Sequence, residues 1–246
     1  MELIYVGHSG FVFRGRECSV IVDFYKDSDG GRGEGVVARE VIPAKESLYV
    51  LATHAHADHF NPSVLKWYRR RGGVRYVFSS DIQVDDREAP VSFLEKGGEW
   101  GDGVLRVKAF GSTDVGVSFL VEMEGERIFH AGDLNNWHWK DESTAEEARA
   151  ANLAFLRELD VLSRQAGSVD VACFPVDPRL GADYALGARQ FVDKVRPRVF
   201  VPMHFWGDYG KANAFQAYAE MRGCRFWALH RPGERVEIEG DELKYK

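Results

Sequence analysis

The sequence predicts an α/β fold with sheets on the inside and helices on the outside. Segments rich in valine, isoleucine and phenylalanine, bounded by glycine or charged residues, follow one another through the first half of the chain, which is typical of strands. In the second half such segments alternate with stretches whose apolar residues recur at helical spacing. This order is typical of α/β domains. Because no shift in composition marks a linker, we expect one domain over residues 1–246.

The predicted strands fall on short apolar segments. They comprise residues 3–6, 10–13, 19–24, 48–52, 76–79, 104–109, 117–122, 127–130, 169–175, 199–202, 226–229 and 235–238. The segments on either side of residues 123–125 predict a hairpin. The polar, glycine-rich residues 26–35 predict a mobile loop.

Helices are predicted only in the second half of the chain. The first begins near Ser143, because Ser143 and Glu146 have the spacing of a capping box. Its core-facing side is formed by apolar residues that recur every three or four positions, namely Ala148, Ala151, Phe155, Leu159 and Leu162. The other helices cover residues 184–195, where Pro197 stops the helix, and residues 211–221.

Composition argues against several classes of protein. The 246 residues carry a formal net charge of −6, whereas a nucleic-acid surface needs clustered lysine and arginine to bind phosphates. No apolar run approaches the ~20 residues that cross a bilayer, and the N-terminus lacks a signal-peptide pattern. The three cysteines are widely spaced, which indicates a reducing compartment rather than a disulfide framework. We expect a cytoplasmic protein with a small-molecule substrate and no nucleic-acid partner.

The strongest chemical signal is the segment Thr53-His54-Ala55-His56-Ala57-Asp58-His59, which directly follows an apolar strand. Zinc and related divalent metals favour imidazole nitrogen and carboxylate oxygen as ligands. Alternate residues of an extended segment point to the same side, so His54 and His56 can reach one metal. Asp58 and His59 follow as the chain turns, and they can reach a second metal.

This segment resembles the signature of the metallo-β-lactamase superfamily, and the resemblance extends over nearly the whole chain. It implies a four-layer αβ/βα sandwich with up to two divalent ions, zinc first and manganese or iron as alternatives. It also implies that Asp133 in Gly132-Asp133 bridges both metals and that His204 is the last ligand. Asp23 ends a strand beneath the metals, where we expect it to orient a ligand rather than to bind metal.

Two segments resemble one particular branch of the superfamily. Residues 6–11 and 199–205 are most similar to the branch that contains L-ascorbate-6-phosphate lactonase. The first of these segments contains His8, for which two alternatives stay open. His8 faces the metal site, or it has a structural role at the end of a strand.

One position departs from the family pattern. Most members carry another metal-binding histidine between the cluster and the bridging aspartate, but residues 108–116 contain no histidine. The only strong ligand there is Asp114. Either Asp114 replaces the histidine and binds the metal held by His54 and His56, or it caps its own loop, as aspartate readily does. In the second case that metal lacks one protein ligand.

Two further segments predict contacts with the substrate. Asn135 and His138 lie just after the bridging aspartate and offer amide and imidazole groups, although a packed aromatic loop is the alternative for this segment. Arg179 follows a predicted strand and has a side chain that can bind a carboxylate or phosphate. The alternative for Arg179 is a structural ion pair with Asp177.

These residues together predict a metal-dependent hydrolase. A metal-bound hydroxide would attack a small polar substrate such as a lactone, ester, amide or phosphoester. Asp58 is the predicted catalytic residue, because it lies beside that water and can accept its proton while also binding metal. Two other functions stay open: a phosphodiesterase or nuclease that acts on nucleic acid, and a non-catalytic metal-binding sensor, which the missing histidine suggests.

Overall fold

The computed structural model of the chain describes residues 1–85, 89–240 and 242–245. Its strands are, in chain order, β1 (Glu2–Gly7), β2 (Gly10–Arg14), β3 (Cys18–Val22), β4 (Ser47–Ala52), β5 (Val74–Ser79), β6 (Val91–Leu94), β7 (Glu99–Gly101), β8 (Leu105–Gly111), β9 (Val117–Met123), β10 (Glu126–His130), β11 (Val171–Pro175), β12 (Val199–Met203), β13 (Arg225–Phe226), β14 (Arg235–Glu239) and β15 (Glu242–Tyr245). The α-helices are α1 (Ala145–Gln165), α2 (Leu186–Val195), α3 (Tyr209–Ala214) and α4 (Gln216–Met221). Shorter helical segments cover Val37–Val41, Pro62–Arg69 and Pro178–Asp183.

The strands form two sheets. One has eight strands in the order β15-β14-β1-β2-β3-β4-β5-β6, and the other has seven in the order β13-β12-β11-β10-β9-β8-β7. Strands β3 to β6 are parallel in the first sheet, and β10 to β13 are parallel in the second. Two antiparallel steps give β1 the direction of β3, and two more give β8 the direction of β10. The carboxyl ends of these strands therefore lie at one edge of each sheet, where loops commonly build sites.

Alternation along the strands explains the layers. In β1, Leu3 and Tyr5 pack into a core shared with the second sheet and with α1 and α2, whereas Ile4 and Val6 pack into a separate core on the opposite face. Successive side chains of a strand point to opposite faces, so both faces of this sheet are covered. The separate core is closed by the helical segments Val37–Val41 and Pro62–Arg69, with Trp67 among its buried residues. The predicted α/β sandwich of helix, sheet, sheet and helix layers is confirmed.

The predicted capping box is wrong by one residue. Thr144, not Ser143, is the last residue before α1 with an extended backbone. Its Oγ1 accepts a hydrogen bond from the backbone N–H of Glu147 at 3.2 Å, and its own N–H donates to the Glu147 carboxylate at 2.8 Å. The predicted partner Glu146 lies one position too early for this reciprocal pair.

Two predicted elements near the end of the chain are shorter than expected. The helix over residues 211–221 is interrupted at Phe215, whose ring packs 5.0 Å from that of Phe200, so it forms α3 and α4. The strand over residues 226–229 is limited to β13. It ends there because the Asn213 side chain hydrogen-bonds both backbone groups of Leu229. The Leu229 N–H donates to Oδ1 of Asn213 at 3.1 Å, and Nδ2 of Asn213 donates to the Leu229 C=O at 2.7 Å.

Three strands, β6, β7 and β15, were not predicted. They lie at the ends of their sheets, and most of their residues are partly or fully exposed. Short edge strands of this kind carry no continuous apolar pattern, so the sequence gives little signal for them.

Two expectations from composition can be compared with the structure. Cys18, Cys173 and Cys224 are buried and free, as predicted. Within the described ranges, none of the helices combines the length and the apolar character that a membrane span needs.

Candidate metal centre

The candidate ligands converge at the carboxyl ends of strands from both sheets. The segment containing His54 and His59 follows β4, and Asp133 lies in the turn after β10. His204 directly follows β12, and the loop after β8 carries Asp114. Residues that are far apart in the chain thus meet between the two sheets.

Asp133 lies at the middle of this convergence. Its Oδ2 is 3.3 Å from Nε2 of His54, and its Oδ1 is 3.1 Å from Nε2 of His59 and 3.3 Å from Nε2 of His204. All four side chains are buried. The two oxygens of Asp133 therefore face different imidazoles, which is the arrangement of a carboxylate that can contact two ions.

Asp58 lies on the side of the centre that His204 occupies. Its Oδ2 is 3.1 Å from Nε2 of His8, 3.8 Å from Nε2 of His204 and 3.9 Å from Nε2 of His59. Of the two alternatives that the sequence left open for His8, the structure places its ring at the site. The sequence signal for His8 was only its position after a strand.

His56 and Asp114 form a more open side of the centre. Nδ1 of His56 is 3.9 Å from Oδ2 of Asp114, and their side chains are 48% and 46% exposed. Together with Asp133, each offers one ligand atom within 4.8 Å of the others. The structure thus places Asp114 beside His56 at the open side of the centre.

The donor atoms of the centre fit a divalent cation. Within the described part of the chain, Nε2 of His8, His54 and His59 and Oδ1 of Asp133 are buried without a hydrogen bond, although buried polar atoms normally have a partner. The separations of 3.1 to 3.3 Å around Asp133 match the roughly 3.3 Å between ligand atoms of a tetrahedral zinc at about 2.0–2.1 Å. Atoms this close that do not hydrogen-bond to one another have the geometry of metal ligands.

Buried carboxylates behind the centre orient the imidazoles. Asp23 accepts a hydrogen bond from Nδ1 of His59 at 2.7 Å and is itself held by the backbone N–H and the hydroxyl of Thr53, at 2.8 and 2.7 Å. Asp177 lies 3.0 Å from Nδ1 of His204 in the same way. A carboxylate partner at Nδ1 leaves the lone pair of a neutral ring on Nε2, which faces the centre.

The electrostatics of the centre favour a bound cation. Burial opposes a charge on His59, but the carboxylates of Asp23 and Asp133 outweigh it and raise the pKa of His59 to about 10. Burial likewise opposes ionisation of Asp133, but the imidazoles of His54 and His59 hold the pKa of Asp133 below its usual range. Without a metal the centre holds a proton on His59, and a cation would take the place of that proton.

The backbone at the site is strained at several positions. His8, Asp23, His204, Trp139 and Trp206 have φ values of 54°, 52°, 59°, 39° and 51°, in the left-handed region that residues other than glycine seldom adopt. Such conformations cost free energy and cluster at functional sites.

The close packing at position 132 explains why a glycine precedes Asp133. Its φ is 53°, and a Cβ at this position would lie 2.8 Å from the side chain of Thr53. The turn that carries Asp133 can therefore approach the end of β4 only because residue 132 has no side chain.

A cavity of about 360 Å³ opens onto the centre. Its lining combines candidate ligands with three indoles and one guanidinium, and it consists of His56, Asp58, Thr113, Asp114, Asp133, Trp137, Trp139, Arg179, His204 and Trp206. A cavity of this volume suits a small molecule. Arg179 forms the ion pair with Asp177 and also lines the cavity, and its contact with a substrate stays a prediction.

The structure does not bring Asn135 and His138 to this cavity, which corrects their predicted role as substrate contacts. Asn135 is fully buried, and its amide oxygen fills the space that a Cβ at Gly187 of α2 would occupy. His138 lines a different cavity, beside α1 and α2, and its Nε2 lies 3.3 Å from the backbone oxygen of Asp183. The turn after Asp133 directs these two side chains toward the helices and its tryptophans toward the centre.

The sequence did not predict three residues that support the candidate ligands from behind. Thr53 anchors Asp23, and Asp177 was predicted only as a partner of Arg179. His130 is buried, with its Nε2 2.8 Å from the Ser9 carbonyl and its Nδ1 accepting from the Gly132 N–H at 3.2 Å, so it joins two loops of the site. The only sequence signal was that each of the three ends or closely follows an apolar strand.

Comparison with known proteins gives the family. The family model described as Beta-lactamase superfamily domain matches residues 2–204. A UPF0173 metal-dependent hydrolase of Symbiobacterium thermophilum is 27% identical over 252 residues, covering 97% of this chain and 100% of that protein. A UPF0173 protein of Pyrococcus abyssi is 28% identical over 236 residues, covering 93% of this chain and 94% of the relative.

A solved structure supports the same fold. The metallo hydrolase Igni18 of Ignicoccus hospitalis superposes with a TM-score of 0.67 and 21% identity, covering 97% of this chain and 98% of that one. At this identity the likeness concerns the fold alone. The family match and the cluster of histidine and aspartate side chains show that the chain belongs to the metallo-β-lactamase superfamily and is a metal-dependent hydrolase.

Proposed function

We propose that the chain hydrolyses a small polar substrate with water activated by up to two divalent cations, zinc first. The observation that carries this proposal is the set of buried, unpartnered imidazole nitrogens that converge on Asp133. A purely structural histidine cluster would satisfy these atoms with hydrogen bonds. Here they face the ligand atoms of their neighbours at 3.1 to 3.3 Å, which is the spacing of atoms that bind one cation.

The geometry suggests how the ligands divide between the two ions. His54, His56 and Asp114 would hold one ion, because His54 faces Oδ2 of Asp133 and the loop after β8 brings Asp114 beside His56. The second ion would be held by the ligands on the other side of Asp133, namely Asp58, His59 and His204. Asp133 would bridge the two ions, since its two oxygens face different sides of the centre.

The bound cations would lower the pKa of a water molecule and polarise the reacting carbonyl or phosphoryl oxygen of the substrate. Asp58 is the residue best placed to accept the proton of that water. Burial opposes its ionisation, but the adjacent imidazole of His8 and the charge of His59 hold the pKa of Asp58 below its usual range. Asp58 is thus an anion before the reaction begins, and His8, 3.1 Å away, fixes the direction of its Oδ2.

Several classes of hydrolysable bond are compatible with this chemistry: lactone, ester, amide and phosphoester. The likeness of residues 6–11 and 199–205 to the L-ascorbate-6-phosphate lactonase branch makes a lactone the first substrate to test. The acidic net charge of −6 and the small cavity favour a free small molecule over a nucleic acid.

The test combines metal analysis with a substrate panel. Purified protein is assayed by inductively coupled plasma mass spectrometry, and then with lactones, carboxylic esters, amides and phosphoesters. We expect up to two equivalents of metal, hydrolysis of at least one class, loss of that activity with a chelator and its return with zinc or manganese. Hydrolysis that survives complete metal removal would contradict the proposal, and metal-replete protein that hydrolyses no class would favour a sensor.

A further inference from the structure

Arg179 occupies an unusual place on the wall of the cavity. Its Cζ lies 4.8 Å from the ring centroid of Trp206 and 5.7 Å from that of Trp139, so the guanidinium lies between two indole rings. Trp139 and Trp206 both have left-handed backbone conformations, with φ of 39° and 51°. Two strained residues therefore hold aromatic rings around one cation, which indicates that the position of this cation matters for function.

Asp177 takes only one edge of this guanidinium. The Nε of Arg179 donates to both oxygens of Asp177 at 3.0 Å, and its Nη2 donates to Oδ2 at 2.5 Å. An arginine has five N–H donors in a planar fork. Among the described residues, Nη1 of Arg179 has no hydrogen-bond partner, and 46% of the side chain is exposed. The free end of the fork is therefore available to a ligand in the cavity.

The charges around the cavity limit what that ligand can be. Among the described residues of the lining, Arg179 is the only arginine or lysine, whereas Asp58, Asp114 and Asp133 contribute carboxylates. A planar guanidinium end matches a carboxylate in both charge and geometry. Among the described lining residues, the second charge of a dianionic phosphate would find no further lysine or arginine to pair with. One free cationic edge thus favours a single carboxylate.

The rest of the wall suits an apolar or planar body. Trp137 and Trp139 are stacked, with ring centroids 6.2 Å apart and 13° between their planes, and Trp206 is 51% exposed at the mouth of the cavity. Exposed indoles are enriched where proteins bind ligands, because they offer apolar area with little conformational entropy to lose.

We infer that the substrate carries a carboxylate, which Arg179 holds between Trp139 and Trp206 while the bond to be cleaved lies at the metal centre. This inference rests on the proposed function, because it concerns the same cavity. The Oδ2 of Asp177 contacts both Arg179 and Nδ1 of His204. One carboxylate therefore fixes the anion subsite relative to the metal ligands, and the substrate's carboxylate and its reactive bond belong to one small molecule.

The experiment measures binding, so it does not depend on finding the substrate. Metal-loaded protein is titrated with phenylacetate, benzyl phosphate and benzyl alcohol, which share a benzyl group and differ in charge, and tryptophan fluorescence gives Kd. We expect phenylacetate to bind at least about tenfold more tightly than the other two, in the range of a charge-assisted hydrogen bond. Arg179→Met should remove that preference, and Arg179→Lys should restore part of it, because lysine keeps the charge without the planar fork.

The matched control is Arg189→Met. Arg189 also stacks on an aromatic ring, with its Cζ 5.5 Å from the centroid of Tyr218, but it does not line the cavity. We expect this variant to bind phenylacetate as the wild type does. Metal content is measured for every protein, which separates the two proposals: wild-type protein that binds no metal contradicts the proposed function, whereas loss of metal from Arg179→Met alone concerns the role of Arg179.

Several results would overturn the inference. Equal phenylacetate binding by wild type and Arg179→Met would mean that the probe binds the metal directly. Tighter binding of benzyl phosphate would assign the subsite to phosphate, and equal binding of benzyl alcohol would exclude an anion subsite. Loss of metal from Arg179→Met would show that Arg179 acts through Asp177 on His204 rather than on a ligand.

Discussion

The two sides of the metal centre are built differently. On the buried side, His59 and His204 are at most 3% exposed, and a carboxylate behind each ring contacts its Nδ1. On the open side, the side chains of His56 and Asp114 are about half exposed, at 48% and 46%. Among the described residues, no hydrogen bond to the His56 ring is present, and its nearest carboxylate oxygen is 3.9 Å away.

The two sides differ in how far their side chains are ordered before a metal binds. The buried imidazoles already occupy fixed positions, so a cation that binds them loses little free energy to side-chain ordering. His56 and Asp114 must be immobilised when they bind, and ordering an exposed side chain costs up to about 1–2 kcal/mol. We therefore expect tight binding on the buried side and weaker, exchangeable binding on the open side.

The largest effect is expected from the residue that both sides share. Asp133→Asn keeps the shape of the side chain but removes the charge that faces His54, His59 and His204. Both ions should be lost and hydrolysis should fall to the uncatalysed rate, as measured by metal analysis and by the activity found in the substrate panel. The matched control is Asp193→Asn, an exposed aspartate that pairs with Arg222. A variant at position 133 that keeps full metal content would show that the two sides are independent.

A smaller effect is expected behind the buried side. Asp177→Asn removes the carboxylate at Nδ1 of His204, and the loss of such an outer partner typically weakens metal binding 10–100-fold. Only the tighter of two binding steps should change in a zinc titration with a competing chelator. If the weaker step changes instead, the assignment of the tight ion to the buried side is wrong.

A more limited effect is expected on the open side. His56→Ala should remove the weakly bound equivalent and leave the Kd of the other ion within about threefold, because His56 is not itself a proposed ligand of the buried ion. His230→Ala is the matched control, since the His230 side chain is 69% exposed and, in the described ranges, pairs only with Glu234. Loss of both equivalents from His56→Ala would contradict the division of the centre into two sides.

The contrast between the two sides also shows which site residues can be predicted from the sequence. The residues from His54 to His59 are contiguous, and Asp133 and His204 lie near the ends of apolar strands, so pattern and strand direction together indicate convergence. The partner of His204 could not be predicted in this way, because Asp177 is 27 positions away and meets it only through the pairing of β11 with β12.

The directions of side chains within turns could not be predicted from the sequence either. Asn135, Trp137 and His138 lie close together in the chain, yet only Trp137 reaches the cavity. The direction of each side chain depends on backbone angles after Asp133 that no periodicity encodes, and the left-handed Trp139 belongs to the same turn. Single-residue errors, such as the cap at Thr144 in place of Ser143, arise because neighbouring residues of similar chemistry can each form a cap.

The smallest and sharpest effect is expected at Asp114, the position where a family histidine is missing. The structure favours a ligand over a loop cap: the backbone N–H of Asp114 donates to Oγ of Ser112 at 3.2 Å, whereas its carboxylate lies 3.9 Å from Nδ1 of His56 and has no backbone partner among the described residues. A carboxylate is a harder ligand than imidazole, so the open side should accept manganese or iron beside zinc.

Asp114→His should raise the preference of that side for zinc over manganese by about tenfold, within the range that the ligand type controls, in a competition followed by metal analysis. Ser112→Ala, which loosens the loop and keeps the carboxylate, should leave the preference unchanged. Equal preferences in wild type and Asp114→His would mean that the carboxylate does not bind metal, and a metal-loaded crystal structure would then place it farther than about 2.2 Å from the ion.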